Sequence, residues 1–405
     1  MKILVLNAGS SSQKTCFYTI ESVLPEHPPV PLWEGRIQLD GDQAEIRAKD
    51  SRGATFEDSI KVQQGTSSVA QLLDNLWSQK AQAVAAPSAV DVVAHRIVNG
   101  GSEFKDPALI TPEVKTAIAR MASLAPLHNS VELDGIEFIE KRFGSVPQVA
   151  VFDTGFHSSL PEPAYVYPGP YEWLARGIRR YGFHGVNHQY CAERTAQLLS
   201  RELGSLKIVT CHLGNGCSLA AVHAGRSVDT TMGFTPLEGL MMGTRSGSLD
   251  PGILTYLMRQ GFTGAQLDEL LNRKSGLLGI SGISGDMREI VNAMKEGHPR
   301  AKLAFEIFVH RLRSCIGAMI ATLGGIDALV FTAGIGENSP EVRAEACAKF
   351  GFLGVELDPV KNAQPSQDRD ISKSDSAVRV FVVRAQEDWA MAKAAWKLQS
   401  TKVGG

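Results

Sequence analysis

"ILVLNAGSSSQK", residues 3–14, sets four strand-forming apolar residues directly against three serines, a glycine, an asparagine and a lysine. The apolar run suits a buried strand, and the small polar residues after it make a poor core and a poor helix. A plain turn needs only a Gly and one Asn or Ser. This stretch offers several hydroxyls, backbone N–H groups and a lysine, which suit an anion. Alone, it reads either as a phosphate-binding loop or as an ordinary polar turn. The theme then recurs along the chain: "KIVTCHLGNG" (207–216) and "ALVFTAGIGEN" (328–338) again run from strand into glycine-rich loop. Two further runs, "VVAHRI" (92–97) and "VAVFDTG" (149–155), bring Arg96 and Asp153 to strand ends. Short buried strands ending in such turns indicate α/β units that hold ligands at the strand ends. The recurrence near 7, 214 and 334 is a weak internal repeat, suggestive of two related α/β halves.

Helical patterns fill the intervals. "TPEVKTAIARMASL" (111–124) has Thr111 to cap it and Pro112 at its first position, with an apolar period near 3.6. Asn129 or Ser130 caps "VELDGIEFIEKRF", and a long apolar pattern from Pro299 to Leu323 stops at Gly324-Gly325. "EDWAMAKAAWKL" (387–398) is the last helix. Residues 21–66 alternate like antiparallel strands, and 361–377 are polar and read as a surface loop.

At 405 residues the chain is long enough for two large domains, and 43% hydrophobic with 21% charged residues is an ordinary globular composition. A net charge of −2 offers no basic surplus for nucleic acid or an acidic membrane. No apolar run approaches the roughly 18 residues of a membrane span, and the N-terminus reads as a strand and not a signal peptide. The six cysteines are scattered, without CxxC pairs, as expected of structural thiols in a reducing cytoplasm. The expected location is therefore cytoplasmic.

The middle of the chain is densest in chemistry. "VFDTGFH" (151–157), "YGFHGVNH" (181–188), "CHLGNGCS" (211–218) and "MGFTPLEGLMMGTRSGSLDPG" (232–252) each set Gly beside His, Arg or Asp. Glycines let the backbone approach a ligand, and the charged groups can neutralise it. No HExxH or other zinc spacing occurs. His27, His223, His298 and His310 read as packed or surface histidines, and His95, His157 and His188 stay undecided.

"NAGSSSQK", "APLHN", "VFDTGFH", "RRYGFHG", "HLGNG", "DTTMGFTPLEGLMMGTRSG", "SGLLGISG" and "FTAGIGEN", in this order and from residue 3 to about 390, together resemble the acetate and propionate kinases. That family lies within the sugar kinase, Hsp70 and actin superfamily. The resemblance implies two ribonuclease-H-like α/β domains with an active cleft between them. The first is expected over 1–152, completed by the C-terminal helix 386–405. The second spans 153–385 and carries the nucleotide site and the interface of a homodimer. The implied reaction is the reversible Mg²⁺-dependent transfer of a phosphoryl group from ATP to acetate, giving acetyl phosphate and ADP, with Mn²⁺ as a possible substitute metal.

The same resemblance distributes roles. Phosphoryl transfer spreads negative charge, so cationic clamps and positioning outweigh a covalent nucleophile. Arg96 and Arg245 match the two active-site arginines, which stay charged and fork onto carboxylate or phosphate oxygens. His184 matches the histidine that hydrogen-bonds the moving phosphoryl group, His128 a supporting histidine, and Asp153 the catalytic aspartate. Glu387 matches the acidic residue near the C-terminus, and the two carboxylates of Asp153 and Glu387, with Asn7, are the expected direct or water-mediated support of the metal. Ser10, Ser12 and Lys14 belong to the first phosphate loop, and His212, Gly214, Asn215 and Gly216 to the second. Asp286, Met287, Arg288, Gly334, Ile335, Gly336 and Asn338 match the nucleotide pocket. Val98, Leu127, Phe183 and Pro236 match the acyl pocket, where one methylene changes binding by only ~1–3 kcal/mol.

Four departures stand out. Gln13 replaces a common leucine, "GVNH" the usual "GTSH", Ser248 a frequent acid, and "AQED" the usual "TNEE". None removes a main catalytic group. The alternatives are a propionate or butyrate kinase and, in a different class, an ATP-driven conformational protein like Hsp70 or actin. The latter gives no reason to set Arg96, His184 and Arg245 around a small anion.

Overall fold

The computed structural model describes residues 1–8, 12–40, 43–61, 89–121, 129–365 and 368–403. They fall into two units, Met1–Gly155 with Gln386–Gly405, and Phe156–Ala385. The division lies after Gly155, not after residue 152, so Asp153 belongs with Arg96 in the first unit.

The first unit is built on β1 (Lys2–Ala8), β2 (Ser12–Thr19), β3 (Trp33–Asp40), β4 (Gln43–Asp50), β5 (Thr55–Lys61), β6 (Val92–Ile97), β7 (Ala108–Leu109) and β8 (Gln148–Phe152). Their order across the sheet is β5-β4-β3-β2-β1-β6-β8-β7. Strands β1 to β5 form an antiparallel meander, whereas β6 and β8 run parallel to β1. The sequence explains the difference. All five residues of β8 are buried, as in a parallel strand covered on both faces. In β4, Ala44, Ile46 and Ala48 face inward while Gln43, Glu45 and Arg47 face water. Leu4, Phe17, Trp33 and Ile37 form one core cluster. Ile97, Ile118, Ile136 and Phe152 form another, with Phe104 stacked on Phe152 at 4.4 Å.

Helix α1 (Pro112–Met121) has Thr111 Oγ1 accepting from the Val114 amide at 3.4 Å, and α2 follows as Asn129–Phe143. The C-terminal helix, Glu387–Val403, packs on β1 and β6 with Met391, Ala392 and Ala395 buried.

The opening stretch is a hairpin and not a loop over its whole length. Asn7 pairs with Lys14 and Ala8 with Gln13, so only residues 9–11, outside the described residues, separate β1 from β2. The N–H and C=O groups at the end of β1 require partners, and these short polar residues supply them from the next strand. Gln13 is 4% exposed, so its side chain is part of the interior.

The second unit repeats the plan with β9 (Lys207–Leu213), β10 (Cys217–His223), β11 (Arg226–Thr230), β12 (Ala328–Thr332), β13 (Arg369–Asp370) and β14 (Arg379–Val382). The order is β11-β10-β9-β12-β14-β13. An antiparallel meander, here of three strands where the first unit has five, is again extended by two parallel strands on the far side of its first strand. Both sheets therefore share the ribonuclease-H-like order 3-2-1-4-5, and the weak sequence repeat has a structural counterpart.

The helices of this unit that matter for the site are α3 (Gly185–Leu199), α4 (Pro251–Arg259), α5 (Met287–Lys295), α6 (Pro299–Leu323) and α7 (Ala333–Asn338). Helix α6 ends on Gly324, whose φ of 61° is a conformation glycine adopts at least cost. Helix α7 corrects the expectation of a loop: the glycines of "AGIGEN" form a helical turn straight off β12, closed by the Ala333 amide donating to Glu337 Oε1 at 3.0 Å. Residues 361–377 also differ from the surface loop expected. They include the end of a short helix (Pro359–Ala363) and strand β13, and Ile371 and Ser372 are fully buried. Among the described residues no helix is long and apolar enough to cross a membrane.

Candidate active site

In the first unit, β1, β6 and β8 deliver polar or charged groups at their C-terminal ends, where open α/β sheets bind ligands. Arg96, in β6, pairs through Nη2 with Asp153 Oδ2 at 2.7 Å, just beyond β8. The Asp153 side chain is 1% exposed and that of Arg96 13%. Burial works against the guanidinium charge, but the carboxylates of Asp153 and Glu387 outweigh it and hold Arg96 firmly cationic. Asn7, near the end of β1, donates from Nδ2 to Glu387 Oε2 at 3.2 Å and to Asp388 Oδ1 at 3.1 Å. Lys14 Nζ meets Asp388 Oδ2 at 2.5 Å.

Glu132, in α2, is a member of this group that the sequence did not reveal. Its Oε1 accepts the Val98 amide at 3.0 Å, and the residue is 4% exposed. Burial pushes its carboxyl up to about 8, against the pull of the Arg96 charge. In sequence it is one of several acids on an amphipathic helix, with no motif to distinguish it.

In the second unit the histidines and Arg245 gather around the turn between β9 and β10. His184 is the N-cap of α3 with φ 58°, a left-handed conformation that is costly for a residue with a Cβ. Its ring stacks on His212 at 3.9 Å, with 10° between the planes. A Cβ added to Gly216 would lie 3.4 Å from Arg245 Nη1 and 3.5 Å from His184 Nε2. The missing side chain thus leaves a small space that both groups border. Arg245 Nη1 also donates to the Pro236 carbonyl at 2.9 Å, tying it to the loop expected to hold the acyl group. Phe183 is buried, and its carbonyl lies 3.0 Å from His157 Nε2.

The departures from the family pattern take structural places. Asn187, of "GVNH", sets Nδ2 2.8 Å from His212 Nδ1 and 3.3 Å from Thr332 Oγ1. Ser248 closes its loop by accepting the Gly239 amide at 3.0 Å. His157 and His188 are fully buried, and His95 is nearly so.

A pocket of about 710 Å³ opens in the same unit, within the usual range of roughly 300–1,000 Å³ for a small-molecule site. Gly214, Asn215, Asp286, Met287, Arg288, Gly334, Ile335 and Asn338 line it, all expected from the sequence. Val291, Asn292, Lys295, Ser339 and Glu341 line it too and were not foreseen, since nothing in their spacing separates them from other residues of α5 and its neighbours. Asp286 caps α5, accepting the Arg288 amide at 2.8 Å and pairing with Arg288 Nη2 at 2.5 Å. That bond to Arg288 holds its carboxyl below the usual range. Gly336 is not among the lining residues. A Cβ there would lie 3.3 Å from the Phe331 backbone, so close packing against β12 accounts for it.

Three of the expected residues, Ser10, Leu127 and His128, lie outside the described residues. Ser12 begins β2. Val98 is buried directly beyond β6.

Residues 2–393 match the model of the Acetokinase family. The chain is 56% identical over 404 residues to an acetate kinase of Cyanothece sp., covering 99% of each chain. Its fold superposes on the crystal structure of Porphyromonas gingivalis acetate kinase with a TM-score of 0.90 at 38% identity, covering 98% of this chain and 99% of that one. A propionate kinase from Francisella tularensis matches at TM-score 0.88 and 35% identity, with the same coverage. Likeness of this extent, over a duplicated ribonuclease-H-like plan with its charged groups at the strand ends, has one meaning: the chain belongs to the acetokinase family.

Proposed function

We propose that this chain is an acetate kinase, transferring the γ-phosphoryl group of ATP to acetate in line and reversibly. The observation that carries the proposal is the set of buried or half-buried cations, Arg96 and Arg245, each fixed by a short hydrogen bond at a strand end or site loop. Acetate is already an anion and needs no base to attack. Its carboxylate oxygen forms the new bond to the γ-phosphorus while the bond to the β,γ-bridging oxygen breaks and ADP leaves. The barrier is the repulsion between two anions, and cations that cannot deprotonate lower it. We assign Arg96 to the acetate carboxylate and Arg245 with His184 to the transferring phosphoryl oxygens. Asp153 keeps Arg96 in place. Val98, Leu127, Phe183 and Pro236 enclose the methyl group. The nucleotide occupies the pocket of Gly334, Ile335, Asp286 and Arg288, with the Gly214–Gly216 turn toward its phosphates. His128, Lys14, Ser10 and Ser12 take supporting places.

Among the described residues no cluster of three or more His, Cys, Asp or Glu side chains is arranged to hold a metal ion. Mg²⁺ needs no such cluster, since it takes one or two protein oxygens and completes its shell with waters and substrate phosphates. Asn7, whose Nδ2 donates to Glu387 Oε2 at 3.2 Å, and Glu387 would offer side-chain oxygens of this kind. When bound, Mg²⁺, or Mn²⁺ in its stead, neutralises phosphate charge. We also propose a homodimer formed through the second unit, where Ile253, Tyr256 and Met258 of α4 expose apolar surface.

The test is acyl-phosphate formation from Mg-ATP with acetate, propionate or butyrate in parallel, trapped as hydroxamate. The highest kcat/KM on acetate is expected. A preference for propionate, the activity named for the Francisella relative, would keep the mechanism and change the substrate.

A further inference from the structure

Behind His184 lies a line of buried polar groups that the reaction itself does not use. His184 Nδ1 is 2.9 Å from Ser218 Oγ, which is 2.7 Å from His188 Nε2. His188 Nδ1 is in turn 2.7 Å from Thr210 Oγ1. Ser218, His188 and Thr210 are all completely buried, on β10, α3 and β9. The line runs from the interior to the half-buried ring of His184.

Such a line has two possible directions. A hydroxyl has one proton, and among the described residues the Ser218 hydroxyl meets only these two histidines, so it donates to one and accepts from the other. Burial, reinforced by His157 and His212 nearby, keeps His188 neutral, with one N–H. In the outward direction the Thr210 hydroxyl donates to His188 Nδ1, His188 Nε2–H donates to Ser218, and Ser218 donates to His184 Nδ1. Every bond is then 2.7–2.9 Å. In the inward direction His184 and His188 both carry protons on Nδ1, and the Thr210 hydroxyl is left to donate to the Ala220 carbonyl at 3.5 Å, a poor bond. The outward direction is favoured. It leaves the proton of a neutral His184 on Nε2, the nitrogen that borders Gly216 beside Arg245 Nη1. The His212 ring stacked at 3.9 Å blocks rotation of the His184 ring.

We propose that Ser218 and His188 are positioning residues that hold His184 as the neutral Nε2–H tautomer, a fixed hydrogen-bond donor to the transferring phosphoryl group. This rests on the phosphoryl-transfer role given to His184 above. It resembles the way second partners fix the tautomer of a metal-bound or catalytic histidine.

The experiment is the ¹⁵N NMR spectrum of histidine-labelled, ligand-free protein, in which protonated and bare ring nitrogens differ widely in shift, with resonances assigned by single His→Asn variants. His184 and His188 are both expected as Nε2–H tautomers; His184 protonated on Nδ1 overturns the proposal. In Ser218→Ala, His184 is expected to become a tautomer mixture and kcat to fall roughly 10–100-fold, the usual cost of losing such a partner, with KM for acetate little changed. A Ser218→Ala variant with unaltered tautomer and kcat overturns it as well. If that variant does not fold, the wild-type spectrum still decides. Wild-type protein with the expected tautomers that forms no acyl phosphate would refute the reaction assigned above and leave the hydrogen-bond line intact.

Discussion

Glu132→Gln isolates a carboxyl group that the fold buries beside the Arg96–Asp153 pair. Oε1 of Glu132 accepts the Val98 amide, whereas Oε2 is buried with no hydrogen-bond partner among the described residues. Burial raises its carboxyl from an ordinary 4.5 to about 8. Because the folded state binds this proton more tightly, the stability it contributes is complete below 4.5 and is lost as the pH rises through about 8. A displacement of that size corresponds to about 5 kcal/mol, of which about 4 falls between pH ~5 and pH ~9. Glutamine keeps an oxygen for the Val98 amide and carries no charge. Any cost of its extra N–H donors, about 1–3 kcal/mol, does not vary with pH. Urea unfolding of both proteins, followed by far-ultraviolet circular dichroism at the two pH values, reads the difference directly. The variant is expected to gain about 4 kcal/mol on the wild type between pH ~5 and pH ~9. A difference that stays constant with pH would show that Glu132 is not buried as a neutral acid.

Arg96→Ala removes the cation paired with buried Asp153. It should cost about 3–5 kcal/mol in unfolding free energy and orders of magnitude in turnover; near-normal turnover would remove Arg96 from the site. Gly216→Ala places a methyl group 3.4 Å from Arg245 Nη1 and 3.5 Å from His184 Nε2. Catalysis should fall severalfold while the melting temperature holds, and unchanged kinetics would mean that no substrate group enters that space. Asp286→Ala removes the α5 cap, worth about 1 kcal/mol, and frees Arg288. KM for ATP should rise with KM for acetate unaffected, whereas an equal rise in both would point to a general loss of structure.

Much of the fold was legible because strand ends and helix caps are local. Pro112 and Thr111 mark the start of α1, and Gly324 marks the end of α6, where the structure has them. The apolar runs at 3, 92, 149, 207 and 328 all became strands. What escaped depends on partners distant in sequence. Gln13 and Lys14 are strand because β1 leaves N–H and C=O groups to pair, a fact no local preference records. "AGIGEN" is helical despite two glycines, since Glu337 reaches both the Ala333 amide and the Ala385 amide, at 2.8 Å to the latter. Ile371 and Ser372 are buried through pairing near β14, although polar residues surround them in sequence. The candidate site divides in the same way. Arg96, Asp153, His184 and Arg245 stand in recognisable motifs, while Glu132, Ser218 and Lys295 acquire their places only through packing.

The central claim is that acetate receives the γ-phosphoryl group directly. ³¹P NMR of wild-type protein with Mg-ATP, followed with and without acetate, tests it most simply. We predict a new acyl-phosphate resonance that grows only with acetate and in step with ADP. Inorganic phosphate appearing at the same rate with or without acetate, and no acyl phosphate, would contradict the account and identify an ATPase that has no acyl substrate.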